Sequence, residues 1–244
     1  MLIPADDPRA TAAKAAIEGG DVAALTALLG RHPELATARV AHADPKCGDT
    51  RTLLHVATDW PGHFPEGPAT VAALVAAGAD VNAHMESTQP RHRETPLHWA
   101  ASSDDLAVLD ALLDAGADIE ADGAVIAGGT AMADATAFAN WDAARRLLAR
   151  GAATNLWESA TLGLDDRVEA YLAADPPPSA EDVTEAFWGA CHGGRRPTAE
   201  LLLAHGADPH WVGWDDLTAA GAAQRNGFDE VAAWAGSLGG RRRD

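Results

Sequence analysis

The heptapeptide TPLHWAA at residues 95–101, followed by VLDALLDAGAD at 108–118, decides the fold. Thr95 is a candidate N-cap, and the proline after it falls in the first helical turn, where a missing N–H is tolerated. Leucines at helical spacing in the second segment predict one buried stripe. Gly116 suits the position just past a helix, where left-handed geometry is needed. The sequence therefore predicts a short helix, a tight turn, a second helix and a defined stop.

The same pattern recurs along the chain. Stretches similar to the first segment are TLLHVA at 52–57, TAMADA at 130–135, TNLWES at 154–159, EAFWGACHGG at 185–194 and LTAAGAAQRNG at 217–227. Three of the apolar segments that follow them also end in a glycine: Gly78, Gly151 and Gly206. A related stretch at 15–36 fits a terminal unit. Self-similarity of this kind indicates stacked repeats, each of which buries its apolar face against its neighbours.

These residues resemble the ankyrin repeat family, in a bacterial-type form with irregular repeat lengths. The match rests on TPLHWAA and on the GAD triplets at 78–80, 116–118 and 206–208. The resemblance implies an all-α ankyrin-repeat solenoid of stacked helix-turn-helix units with projecting finger loops. It further implies a concave groove lined by the inner helices and a usual role in binding partners, and it brings no catalytic residue.

The resemblance covers nearly the whole chain and predicts a single ankyrin-repeat domain over residues 1–244. The expected divisions are an N-terminal cap at about 11–36, repeats starting near 52, 95, 130, 154 and 185, and a C-terminal cap at about 217–238. The motif histidines, His55 and His98, are expected to hydrogen-bond the next loop, because the family uses them in this way.

Composition restricts the function. The formal net charge is −18, and a surface this acidic repels phosphate backbones, so nucleic-acid binding is not expected. The sequence has no apolar run of about 18 residues, so no membrane span is expected. It has neither a phosphate-binding loop nor a zinc-type spacing, so no cofactor and no metal are predicted. Its two cysteines lie far apart, which favours free thiols in a reducing compartment. We expect a cytoplasmic protein.

The spacing of the repeats is irregular. Start positions of 52, 95, 130, 154, 185 and 218 give spacings of 43, 35, 24, 31 and 33 residues, against a norm of about 33. The longest interval contains ATDWPGHFPEGP at 57–68, which we call the lip, and a long finger at 84–94. The finger after Gly151 is missing. Because its three prolines restrict the backbone, the lip is predicted to be a rigid rim at the groove edge, or else an ordinary tolerated insertion.

Aromatic residues accumulate at positions expected to face the groove. Trp60, Phe138 and His192 follow the inner helices of three repeats and are predicted to point into the concavity. The full set of predicted partner- or ligand-binding residues is Trp60, His63, Phe64, Trp99, Phe138, Trp188, Trp211 and Trp214. Tryptophan dominates binding energy where it is desolvated. The first hypothesis is therefore a non-catalytic scaffold that holds a protein or peptide partner, which the acidic surface suggests is basic or neutral.

Two carboxylates support an alternative. Asp134 and Glu158 occupy the position after the motif histidine, which is often apolar in the family, and are expected to approach across a repeat boundary. Each carboxylate must be paired there, with a loop amide or with Arg145 or Arg167, or its pKa rises.

In the unpaired case the site would bind a small apolar or cationic molecule. Alternatively it would perform cofactor-free acid–base chemistry of the lyase, isomerase or cyclase type. Its catalytic residues would be Asp134 and Glu158, with His192 or Asp59 assisting. The sequence favours a binding protein and leaves the enzyme open.

Overall fold

The computed structural model describes residues 1–42, 44, 46–87 and 92–238. The predicted finger at 84–94 lies partly outside these described residues. The helices are α1 (Pro8–Glu18), α2 (Val22–Arg31), α3 (Leu53–Ala57), α4 (Gly67–Ala76), α5 (Pro96–Ser102), α6 (Leu106–Asp114), α7 (Ala131–Ala137), α8 (Trp141–Ala149), α9 (Leu156–Leu162), α10 (Asp165–Leu172), α11 (Ala180–His192), α12 (Arg196–Ala204), α13 (Ala219–Arg225) and α14 (Asp229–Leu238). Short 3₁₀ turns cover Pro33–Thr37 and Trp214–Asp216, and the strands are β1 (Leu2–Ile3), β2 (Arg39–Ala41) and β3 (Thr50–Arg51).

Threonines begin the inner helices, as the motif predicts. Thr52, Thr95 and Thr130 are the N-caps of α3, α5 and α7. The histidine at the third helical position completes a capping box in the first two: the Nδ1 atoms of His55 and His98 accept from the threonine backbone N–H. The cap satisfies donors that the start of a helix leaves unpaired.

The same histidines tether each repeat to the loop that follows. The Nε2 atom of His55 lies 3.0 Å from the carbonyl oxygen of Glu94, and that of His98 lies 3.3 Å from the carbonyl oxygen of Gly129. A carbonyl oxygen only accepts, so Nε2 carries the proton in both rings and Nδ1 is the acceptor. Burial lowers the pKa of His55 to about 3 and that of His98 to about 4, so both rings are neutral. The predicted structural role of these histidines is confirmed.

The glycines that end the outer helices adopt the predicted left-handed backbone. Their φ angles are 97° at Gly78, 93° at Gly116, 98° at Gly151 and 95° at Gly206. At each of them the amide bonds a carbonyl three residues earlier, as between Gly116 and Leu113 at 3.1 Å. A residue with a Cβ would be strained there, which explains why the GAD triplet recurs.

The chain divides into two compact units, Met1–Ala152 and Ala153–Asp244, which we call unit 1 and unit 2. Unit 1 contains α1–α8 and a sheet of order β1-β2-β3, whose first pair is parallel and whose second is antiparallel. Its core includes Leu25, Leu54 and Leu109, all fully buried. Within it the lip joins α3 to α4, and the histidine tethers fix the order of the helix pairs. The single domain over residues 1–244 stays a prediction.

Unit 2 contains α9–α14 around a core that includes Phe187 and Cys191. Its longest helix, α11, begins at Ala180 because Ser179 and Asp182 form a capping box, as their spacing indicates. This repeat therefore starts earlier than the predicted position near 185. The fold class is all-α with ankyrin-type repeats, as predicted. No helix in the described ranges has the length and apolar character needed to cross a membrane.

Candidate functional site

The lip presents one tryptophan of unit 1 to solvent. Trp60 is 81% exposed, the highest value among the exposed large apolar side chains that the structure describes. Phe64 is half-buried and His63 is exposed. An exposed indole thus stands on a short, proline-rich connection between two helices, and its predicted place at the edge of a groove stays a prediction.

Hydrogen bonds anchor the lip to the next repeat. The backbone N–H of His63 donates to Asp105 Oδ2 at 2.7 Å, and its Nε2 atom donates to the carbonyl of Ser103 at 3.0 Å. Asp59 forms an ion pair with Arg51 at 2.5 Å, with both side chains partly exposed. The lip is therefore held at Asp59 and at His63, and the Asp59 carboxylate already has a cationic partner in this unit.

Phe138 and Trp99 have different environments in unit 1. Phe138 is the C-cap of α7 and is 48% exposed. Trp99 is half-buried: its ring meets the edge of His55 with centroids 5.1 Å apart, and the guanidinium carbon of Arg51 lies 5.9 Å from its centroid. Of the predicted aromatic residues in this unit, Trp60 and Phe138 are thus the two whose rings are largely free for a partner.

Asp134 is a buried carboxylate without a counter-charge. Its side chain is fully buried in α7, and neither carboxylate oxygen has a hydrogen-bond partner among the described residues. The Ile126 amide and the Ser102 hydroxyl favour its ionised form only weakly, because neither makes a hydrogen bond to it and the hydroxyl donates to the His98 carbonyl at 2.9 Å. Burial, reinforced by the charge of Glu94, raises the pKa of Asp134 to about 8. The group is therefore a neutral carboxylic acid at pH 7.

Glu94 is the acidic residue whose charge helps to raise the pKa of Asp134. Burial raises its pKa, while a hydrogen bond from the Trp99 side chain and the charge of His92 oppose that shift. Its backbone carbonyl accepts from His55 and from the Met85 amide at 2.8 Å. No sequence pattern singles out Glu94, because the residue before the TPLH motif is not part of the repeat signature.

A small pocket of about 170 Å³ opens beside Trp99 in unit 1. It is lined by His42, Asp49, Thr50, Arg51, Met85 and Trp99. Asp134 and Asp59 are not among these residues, so the pocket does not give a ligand direct access to the carboxylates that an acid–base mechanism would use. The part of the chain that the structure describes also holds no cluster of three metal-ligating side chains.

Glu158, in unit 2, is engaged in capping its own helix. Its carboxylate accepts from the Asn155 amide at 2.8 Å, and its amide donates to the Asn155 side chain at 2.8 Å. This capping box begins α9. Arg145 and Arg167 were the predicted partners of these carboxylates. Among the described residues, Arg145 instead forms an ion pair with Asp142, and Arg167 donates to the Thr154 hydroxyl. Asp134 lies in unit 1 and Glu158 in unit 2, so their predicted approach across a repeat boundary stays a prediction.

Replacing Glu158 by alanine is expected to destabilise unit 2 by about 1 kcal/mol, because α9 loses one half of its capping box. Glu158→Gln retains an acceptor at the same position and should lose less. Urea denaturation followed by circular dichroism measures both values. A Glu158→Ala protein as stable as the wild type would show that this cap contributes nothing.

Four indoles of unit 2 form what we call the tryptophan cluster: Trp157, Trp188, Trp211 and Trp214. Trp214 meets the other three at ring-centroid distances of 5.7, 5.0 and 5.5 Å, respectively, each at an interplanar angle of 75–82°. Edge-to-face contacts of this kind are favourable between aromatic rings. Trp214 is 44% exposed and Trp188 is 2% exposed.

His192 lies beneath this cluster, on the buried side of α11. It is 1% exposed, stacks on Trp188 at 5.2 Å, and accepts a hydrogen bond at Nδ1 from the Asn226 side chain at 2.9 Å. The same amide nitrogen of Asn226 donates to the His192 carbonyl at 2.8 Å, which fixes the orientation of that amide. His192 therefore packs inside unit 2 against Trp188 and Asn226, and its predicted place in a concave groove stays a prediction.

Known proteins resemble this chain in one repeat and in the overall fold. The family model for the ankyrin repeat matches residues 92–124. The crystal structure of the human ASB11 ankyrin repeat domain matches with a TM-score of 0.50 and 18% sequence identity, covering 91% of this chain and 96% of that chain. The search of curated proteins found no match. Residues 92–124 thus match the ankyrin-repeat family, and the ankyrin-type fold extends over most of the chain.

Proposed function

We propose that this protein is a non-catalytic binding scaffold that holds a segment of a protein or peptide partner. The observation that carries the proposal is the exposure of Trp60 and Phe138 in unit 1, at 81% and 48%. Both follow inner helices of the repeats, the positions that face the groove in ankyrin proteins. Large aromatic side chains left open to water at such positions are typical of binding hot spots.

The geometry of the lip supports this role. Its backbone is held by the bonds of His63 to Asp105 and Ser103. A partner that covers Trp60 would therefore bind a segment that is already ordered. The lip would lose little conformational entropy when the partner binds. The net charge of −18 favours a partner that is neutral or basic.

Acid–base catalysis has less support. Glu158 is engaged in a capping box, Asp59 is ion-paired and His192 is buried against Asn226. Asp134 does have the raised pKa of a general acid, but its carboxyl is fully buried and does not line the described pocket beside Trp99. We therefore propose a structural rather than a catalytic role for Asp134.

A displayed-peptide selection tests the scaffold. Peptides that enrich on the wild-type protein are synthesised, and their dissociation constants are measured by fluorescence anisotropy. The double variant Trp60→Ala, Phe138→Ala should weaken binding by about 30-fold, the effect of losing one hot spot of about 2 kcal/mol. Leu2→Ala removes another apolar side chain of unit 1, 63% exposed, and should leave binding unchanged. Failure to enrich any peptide, or equal affinity in the double variant, would reject the proposal.

A further inference from the structure

Trp214 combines exposure with rigidity. Its indole is 44% exposed, yet three other indoles hold it at centroid distances of 5.7 Å or less. The glycine before it is required by this packing, because a Cβ at Gly213 would lie 2.4 Å from the Trp211 ring and 2.9 Å from Trp188 Nε1. The exposed surface of Trp214 is thus presented by a closely packed base and does not have to be ordered when a ligand binds.

Two aspartates follow Trp214 directly in the sequence. Asp215 and Asp216 are both exposed, and both have left-handed backbones with φ angles of 58° and 56°. Two consecutive aspartates in this region store backbone strain, which persists only where the surroundings enforce it and which concentrates at functional sites. Arg225 forms an ion pair with Asp215, so a guanidinium group already reaches this turn. The described residues provide no ion pair for Asp216.

The fold places guanidinium groups over indoles elsewhere. The Arg51 guanidinium carbon lies 5.9 Å from the Trp99 centroid in unit 1, and that of Arg196 lies 5.2 Å from the Trp234 centroid in unit 2. In the described part of the chain, no arginine or lysine lies over Trp214, the most exposed indole of the tryptophan cluster. A partly exposed indole followed in sequence by two exposed aspartates is a favourable position for a cation.

We propose that Trp214, together with the carboxylate of Asp216, binds the guanidinium group of an arginine side chain in the partner. The inference rests on the proposed scaffold function and specifies the chemistry of a second contact. Arginine fits better than lysine because its planar group stacks on aromatic rings, is less strongly hydrated and presents paired donors to a carboxylate. The net charge of −18 adds a favourable field for a cationic partner.

The indole N–H signals in ¹H–¹⁵N NMR spectra provide the test, because the chain has only eight tryptophans. The signal of Trp214 is assigned by its loss in Trp214→Phe. The wild type is then titrated with N-acetyl-arginine amide, with the uncharged N-acetyl-citrulline amide of similar shape, and with a short apolar peptide containing one arginine. We expect the Trp214 signal to move with both arginine compounds and not with citrulline, and the peptide to bind more tightly than the free amide.

Asp216→Asn is the variant that preserves the fold, since the side chain is exposed and bonded to no described residue. It should weaken binding of the arginine peptide by about fivefold, because an exposed charge contact of this kind is modest in strength. Asp142→Asn is the matched control: it makes the same change at an exposed carboxylate of α8 and should leave the Trp214 response unchanged.

Three results would overturn the inference. The first is an equal response to citrulline, and the second is an unchanged affinity of Asp216→Asn. The third is equal affinity for the free amide and the peptide, which would assign the site to a small organic cation. If selected peptides depend on Trp60 and Phe138 but contain no arginine and leave Trp214 unmoved, the scaffold function stands and only this inference fails.

Discussion

The Asp134→Asn protein is expected to gain stability over the wild type as the pH rises from 5 to 8. Asp134 is fully buried without a hydrogen-bond partner among the described residues, and its pKa is raised to about 8 from the ordinary value of 3.8. Asparagine has nearly the same shape and no proton to lose. The pH dependence that the wild type owes to this residue should therefore disappear in the variant.

The sign follows from proton linkage. Between pH 3.8 and 8 the folded state keeps the Asp134 proton, whereas the unfolded state releases it. The stability that neutral Asp134 contributes is therefore fully present below its pKa in the unfolded state. It is lost as the pH rises toward its pKa in the folded state. The slope is about 1.4 kcal/mol per pH unit, which gives a gain of about 3–4 kcal/mol for the variant between pH 5 and 8.

Urea denaturation at each pH measures this difference. Changes due to His55 and His98 are common to both proteins and cancel in the comparison. Asp142→Asn is the matched control: it makes the same side-chain change in α8, where the carboxylate is exposed and paired with Arg145. A wild-type-to-variant difference that stays constant with pH would show that Asp134 ionises normally.

Trp188→Ala is expected to destabilise unit 2 by about 3–5 kcal/mol, the usual cost of removing a buried indole. Trp188 is 2% exposed and stacks on His192 at 5.2 Å. Its Nε1 atom donates to the Leu217 carbonyl at 2.9 Å. That carbonyl keeps a second donor, the Gly213 amide at 2.9 Å, so the loss should come mainly from the cavity.

Chemical denaturation compares Trp188→Ala with two controls. Trp188→Phe keeps part of the ring volume and loses the hydrogen bond, so its stability should be intermediate. Trp60→Ala removes an exposed indole and should change stability by less than about 0.5 kcal/mol. If Trp188→Ala were no less stable than Trp60→Ala, the tryptophan cluster would not be part of the packed core of unit 2.

The fold could be predicted from short-range rules. TPLHWAA encodes an N-cap, a first-turn proline and a histidine whose acceptor lies in the next loop, and each of these has the predicted geometry. The three short strands of unit 1 were not expected. Strands of two and three residues have too few positions to show alternation, and their pairing joins segments as distant as Leu2 and Arg39.

The candidate site was predictable only in part. Exposure of Trp60 and Phe138 follows from their position in the repeat. The neighbours of Asp134 and His192 do not, because Glu94 and Asn226 lie 40 and 34 residues away in sequence and belong to other repeats. Glu158 became a capping residue because Asn155, and not Thr154, begins its helix. A shift of one residue at a cap changes the role of the side chain three positions later.

The histidine tethers have a consequence for how this chain can be shortened. The acceptor for His55 is the carbonyl of Glu94, and the acceptor for His98 is that of Gly129. Because the next repeats start at 95 and 130, each histidine depends on a backbone atom at the far end of its own repeat. A truncation that removes residue 94 or residue 129 takes away this acceptor and leaves a buried imidazole N–H without one. Shortened chains should therefore keep the whole connecting loop up to the residue before the next threonine.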